Sequence, residues 1–139
     1  MNLLKLITTD NAPTTLLIRL VVGGVFLSEG IQKFLFAKAQ GVGRFEKIGL
    51  PNAEVLGPFV GTTEIICGLL ILIGLLTRFA AIPLIIIMLV AITTTKIPML
   101  EDGGICKMLH ESRTDWAMLL CSIFLLMRGG GAFSLDRRV

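Results

Sequence analysis

The chain has 139 residues, of which 54% are hydrophobic and 17% charged, with a formal net charge of +3. Soluble globular domains run at roughly 45–50% apolar and about 25% charged. This chain, with a mean hydropathy of +0.85, reads instead as an integral membrane protein. Disordered chains, disulfide-stapled secreted domains and large soluble enzymes are excluded on the same counts. Basic residues are scattered rather than interleaved with aromatics, which sets nucleic acid aside as a partner. Of the three cysteines, Cys67 and Cys121 fall inside apolar runs, a placement that does not suit a disulfide framework.

A spanning helix needs about 20 mostly apolar residues, so this length admits four spans but hardly six. The expected architecture is all-α: a single membrane domain over residues 1–139, built as an up-down-up-down four-helix bundle in contact with the lipid bilayer. The first span is expected over residues 13–36, with Pro13 suited to a helix start. Asp10 and Arg19 flank or interrupt its apolar core, and no small-residue cleavage pattern follows, so it reads as a retained span rather than a signal peptide. The second is expected over 54–76, with Pro58 in its first turn. The third covers 78–97, with Pro83 near its start and Pro98 near its end. The fourth covers 114–128 and is the weakest, since only Trp116 to Met127 is free of charge. Arg128 would reach from its end to the interface. Two long polar loops join spans one to two and three to four, whereas spans two and three are joined by a tight turn.

Charged residues inside such spans cost a few kcal/mol each near the bilayer centre and should face the bundle interior. Arg19, Glu29, Lys33, Glu64 and Lys96 are of this kind. At the helical period, Arg19, Gly23, Phe26, Glu29, Gly30 and Lys33 share an arc of about 120° on span one. Gly57, Gly61, Glu64, Gly68 and Leu75 form one stripe on span two. Small residues at four-residue steps permit close backbone approach between membrane helices, so the two stripes are expected to meet.

By depth, Glu29, Lys33, Glu64 and Lys96 fall in the half of the membrane nearer the long loops, with Thr93, Thr94 and Thr95 beside them. Arg19 alone lies in the opposite half. It is expected to pair with Asp136 or with the C-terminal backbone. Asp136 should therefore matter more to the fold than Arg138, which is expected to be solvated. Glu29 and Lys33, one turn apart, can pair locally. Glu64 would then join them in a charged triad or face a cavity with Lys96. The plain reading is that these charges only fix helix register. The functional reading is a polar pocket in which Glu64, Glu29 and Lys33 handle protons, while Lys33, Lys96 and Glu64 bind a ligand. In the last long loop, Cys106 and His110 are four residues apart and are weak metal-ligand candidates; an ordinary polar loop is the expectation, with no metal.

Arg19-Leu-Val-Val-Gly23 followed by Phe26, Gly30 and Lys33 resembles the first span of DoxX-type membrane proteins. Gly61-Thr-Thr-Glu64, Gly68, Gly74 and Thr77-Arg78-Phe-Ala-Ala81 resemble that family's second span and turn. Gly129-Gly-Gly131 with Ser134-Leu135-Asp136 is similar to its C-terminal close. Met99 to Thr114 departs from the family pattern, so the resemblance gives no role to Cys106 or His110. It implies a bacterial inner-membrane protein and, for several members, a subunit of a quinone-linked oxidoreductase such as thiosulfate:quinone oxidoreductase. Quinone would be the implied cofactor and an oxidoreductase the implied protein partner. The alternative is a non-catalytic assembly protein.

Four spans would place both termini on one side. Lys5, Arg78, Arg128, Arg137 and Arg138 on that side balance Lys38, Arg44, Lys47, Lys107 and Arg113 on the other. The basic tail tips the expectation towards cytoplasmic termini. A membrane-impermeant thiol reagent should accordingly label Cys106 from the outer face of intact cells, and labelling from the cytoplasmic face alone would invert the orientation.

Overall fold

The computed structural model describes residues 12–138, the side chains of Arg137 and Arg138 excepted. Expectations resting on Lys5, Asp10 and those two side chains lie outside the described residues. Within them every regular element is helical. In order these are α1 (Thr15–Leu35), α2 (Ala37–Gln40), α3 (Val42–Ile48), α4 (Ala53–Ile73) and α5 (Thr77–Ala91), which runs on as a π-helical turn (Ile92–Lys96). Then come α6 (Met99–Glu111), α7 (Arg113–Arg128) and a 3-10 turn (Leu135–Arg138). Thr15–Leu35, Ala53–Ile73 and Thr77–Lys96 are long and apolar enough to cross a bilayer. With 16 residues, α7 reaches only about 24 Å against a hydrocarbon core of about 30 Å.

The two long connections are helical rather than the loops expected from sequence. On α3, Val42, Phe45 and Ile48 recur at three-residue steps and give a short amphipathic helix something to bury. A methyl group on Gly57 would come 2.8 Å from the Val42 side chain, so α3 rests directly on α4. On α6, Glu101 and Asp102 in the first turn and His110 in the last complement the helix dipole. This helix is broken at Gly104 (φ 79°, ψ −179°).

At the end of α5, the hydroxyls of Thr93, Thr94 and Thr95 donate to the carbonyls of Leu89, Val90 and Ala91. These side chains compete with backbone N–H groups for the same acceptors. The ladder accordingly widens to π geometry, with Ile97 N–H donating to Ile92 O at 3.0 Å.

The closest pairing of long helices is α1 with α4, followed by α5 with α7, and α4–α5 contacts join the two pairs. Val22, Phe26, Cys67, Ile71, Leu84, Met88, Leu119 and Leu125 form the apolar centre. The two glycine stripes meet. A methyl group on Gly30 would lie 2.7 Å from the Gly61 carbonyl oxygen, and one on Gly68 would lie 3.0 Å from that of Gly23. Neither distance tolerates a side chain, so the backbones touch there.

At the opposite end, α4 stops at Gly74 (φ 75°), whose N–H donates to Ile71 O at 3.1 Å while Leu75 N–H donates to Leu70 O at 2.9 Å. Leu76 follows with φ 50°, a conformation branched residues avoid. It is held there by Asp136, whose carboxylate accepts Leu76 N–H at 2.6 Å and Thr77 N–H at 2.9 Å. Asp136 N–H in turn donates to Gly74 O at 2.9 Å. One side chain thus caps α5 and fastens the chain end over the turn.

Arg19, only 1% exposed, lies beside this clamp. Its Nε donates to Ile71 O at 2.9 Å, Nη2 to Leu72 O at 2.6 Å, and Nη1 to Phe133 O at 2.7 Å and Gly130 O at 3.3 Å. Among the described residues it makes no ion pair with a carboxylate. Of the two partners expected for Arg19, the structure supplies the backbone. Asp136 is engaged with Leu76 and Thr77 instead. The guanidinium thereby satisfies the end of α4, where cations are favoured.

Each buried carbonyl stripped of its donor costs about 1–3 kcal/mol. Arg19→Met is therefore expected to lower accumulation in the membrane, and Arg19→Lys to restore it only in part, because an ammonium cannot reproduce a planar fork of donors. Thermal unfolding of the purified variants should rank wild type, then Lys, then Met.

Candidate functional site

Where α1 and α4 touch at Gly30 and Gly61, Lys33 stands one turn beyond the contact and reaches across to α4. Its Nζ donates to Glu64 Oε2 at 2.8 Å, with the two side chains only 12% and 4% exposed. This corrects the expected local pairing of Lys33 with Glu29. Glu29 is exposed, whereas Glu64 is buried, and a buried carboxylate without a cation would be far more costly.

The pair borders a cavity of about 610 Å³ in the half of the structure nearer the long connections. Glu29, Gln32 and Lys33 of α1, Gln40 of α2, Arg44 of α3 and Glu64 of α4 are among its polar lining residues. Phe26, Phe45, Phe59, Met88 and Met118 are among the apolar ones. Such a volume lies within the range of roughly 300–1,000 Å³ typical of small-molecule sites.

Lys96 stands apart from this arrangement. It does not line the cavity; its Nζ lies 3.4 Å from Asp115 Oδ2 in the first turn of α7. The expected meeting of Lys96 with Glu64 is therefore replaced by a link between the π turn of α5 and α7. Asp115 does line the cavity, and with Arg44 and Gln40 it is a polar wall residue that sequence reasoning missed. A signal for Asp115 was present: consecutive antiparallel helices place the start of one beside the end of the other, and Lys96 ends α5. Thr94 and Thr95 line the cavity as expected, but their hydroxyl hydrogens are committed to helix carbonyls, leaving only acceptor lone pairs.

Cys106 and His110 are both exposed on α6. No group of three His, Cys, Asp or Glu side chains suited to a metal ion occurs among the described residues.

Helices of spanning length, a glycine-packed pair and an ion pair buried between them define a multi-span helical membrane protein. Residues 14–97 match the family model named DoxX, and the chain belongs to the DoxX family. It is 50% identical, over 141 aligned residues, to an uncharacterized membrane protein of Mycobacterium tuberculosis, an alignment covering 97% of this chain and 86% of that protein. It is also 29% identical over 122 residues to the Bacillus subtilis protein named "Putative oxidoreductase CatD", covering 88% and 84% respectively. No solved structure matches the chain.

Removing one partner of a buried ion pair costs about 3–5 kcal/mol, whereas replacing both with apolar residues is often neutral. Lys33→Met alone should therefore lower the thermal midpoint of the purified protein more than Lys33→Met combined with Glu64→Met. A loss in the double variant equal to the sum of the two single losses would show that the two side chains are not energetically coupled.

Proposed function

We propose that this chain is a small membrane subunit of a quinone-linked oxidoreductase system in the bacterial inner membrane, with cytoplasmic termini and the cavity as its quinone site. In this reading α7 is the fourth span and completes an up-down-up-down bundle, with Asp115 and Lys96 at one interface and Arg128 at the other. The observation that carries it is a buried ion pair at the wall of a cavity lined by both polar and apolar side chains. The name of the Bacillus relative supports an oxidoreductase role from outside this chain.

The donor set fits a quinone ring. Two carbonyl acceptors need donors, and Lys33 retains ammonium hydrogens beyond the one given to Glu64. Gln32 gives one amide hydrogen to Ser28 Oγ at 2.8 Å and keeps its other. Arg44 adds a guanidinium at the cavity wall. Phe26, Phe45 and Met118 offer apolar surface for the ring itself. When bound, a quinone supplies two-electron chemistry, with electrons from an oxidoreductase partner. The chain's own contribution is binding and proton supply. Lys33 orients the head group and neutralises Glu64 at Oε2, while Oε1 is free of a protein partner among the described residues and is the atom at which a proton is held. Glu29 and Gln32 continue the polar wall from there.

The second reading is an assembly protein whose charges fix helix register. It is favoured by the position of Lys33–Glu64 directly beside the Gly30–Gly61 contact, where the pair locks the two helices axially. Glu64→Gln separates the two readings, because Gln retains the side-chain volume and an acceptor for Lys33. Normal accumulation with quinone-linked turnover reduced at least about tenfold, one pKa-scale step in transition-state energy, is the expected result in native membranes. Normal accumulation with unchanged turnover removes the proton-transfer role. Loss of the protein itself returns the pair to register-setting.

A further inference from the structure

Part of the cavity lining reaches the surface on α4 and α5. Phe59 on α4 and Ile86 and Val90 on α5 line it, and these three are 64%, 55% and 44% exposed. All belong to helices of spanning length, at depths where the exposed surface meets lipid tails rather than water. The α4–α5 contact is less extensive than α1–α4 or α5–α7. The two helices are tied together at the Gly74–Thr77 turn, the end remote from the cavity. The same cavity is lined by Lys33, Glu64, Gln32 and Arg44. Towards water, α3 lies over the cavity with Phe45 and Ile48 turned into it, seated on α4 through the Val42–Gly57 contact.

We infer that the ligand enters sideways from the bilayer between α4 and α5, and is a lipid-phase amphiphile whose tail remains in that opening while its polar ring reaches Lys33. The inference rests on the quinone reading for the head group and adds the route and the need for a tail. A head group with hydrogen-bond acceptors suits the donors Lys33, Gln32 and Arg44. An apolar chain suits Phe59, Ile86 and Val90, which offer no polar partner, and would pass continuously into the surrounding lipid.

The test uses the full chain in lipid nanodiscs with two probes: a decyl-tailed benzoquinone and the same ring bearing a methyl group instead of the tail. Ile86 and Val90 are exposed, so Ile86→Trp and Val90→Trp fill the opening without displacing the core. Leu89→Trp, on an exposed position that does not line the cavity, is the control. The association rate and the equilibrium affinity of the tailed probe should both fall about tenfold in Ile86→Trp and Val90→Trp, while the tail-less probe's affinity stays within about twofold and Leu89→Trp leaves both probes within that range. Equal losses for both probes, or no loss for either, would overturn the lateral route while leaving the quinone site in place. If wild type binds neither probe, the quinone reading itself fails, and the route with it.

Discussion

The backbone contact between α1 and α4 is the constraint on which the rest of this structure depends. Gly23 faces Gly68 and Gly30 faces Gly61, each so closely that no side chain fits between them. In a bilayer the hydrophobic effect does little to bring helices together, so close packing and polar contacts must do so. Once the two backbones touch, Lys33 is within reach of Glu64, and Arg19 is within reach of the last carbonyls of α4. The glycines therefore position the chemistry while contributing none of their own.

The two ends of the protein use charge differently. At the end holding the termini, Arg19 and Asp136 are both spent on backbone groups, one on carbonyls and the other on N–H groups. These contacts close a helix end or fasten the final segment. At the other end, Lys33 and Glu64 meet side chain to side chain and open onto a cavity with further polar groups around it. Arg19 is spent on four backbone carbonyls, whereas Lys33 keeps ammonium hydrogens beyond the one given to Glu64.

Membership of the DoxX family fits this division, since the matched residues 14–97 hold both the glycine contact and the ion pair. Family membership carries architecture further than it carries chemistry, because function resides in a site rather than a fold. The case for quinone accordingly rests on the cavity and its donors. The short helix α3 and the first turn of α7, which complete its walls, contribute Arg44 and Asp115.

From the sequence alone, membrane class, the apolar spans and the two glycine stripes were legible, because composition and the helical period depend only on which residues recur and how often. That Arg19, Lys33 and Glu64 face inward followed from the cost of charge in lipid. Pairing was a different matter. Glu29 and Asp136 were reasonable partners for Lys33 and Arg19 by depth and spacing, but partner choice depends on which acceptor loses more by remaining unpaired. Glu64 is buried and Glu29 is not; the Ile71 and Leu72 carbonyls end a helix and need donors. Likewise, the helical form of α3 and α6, the π turn set by three threonines, and the diversion of Lys96 to Asp115 arise from contacts between distant segments. Burial and the distance between backbones belong to the folded chain, so only the tertiary structure decided which charges meet.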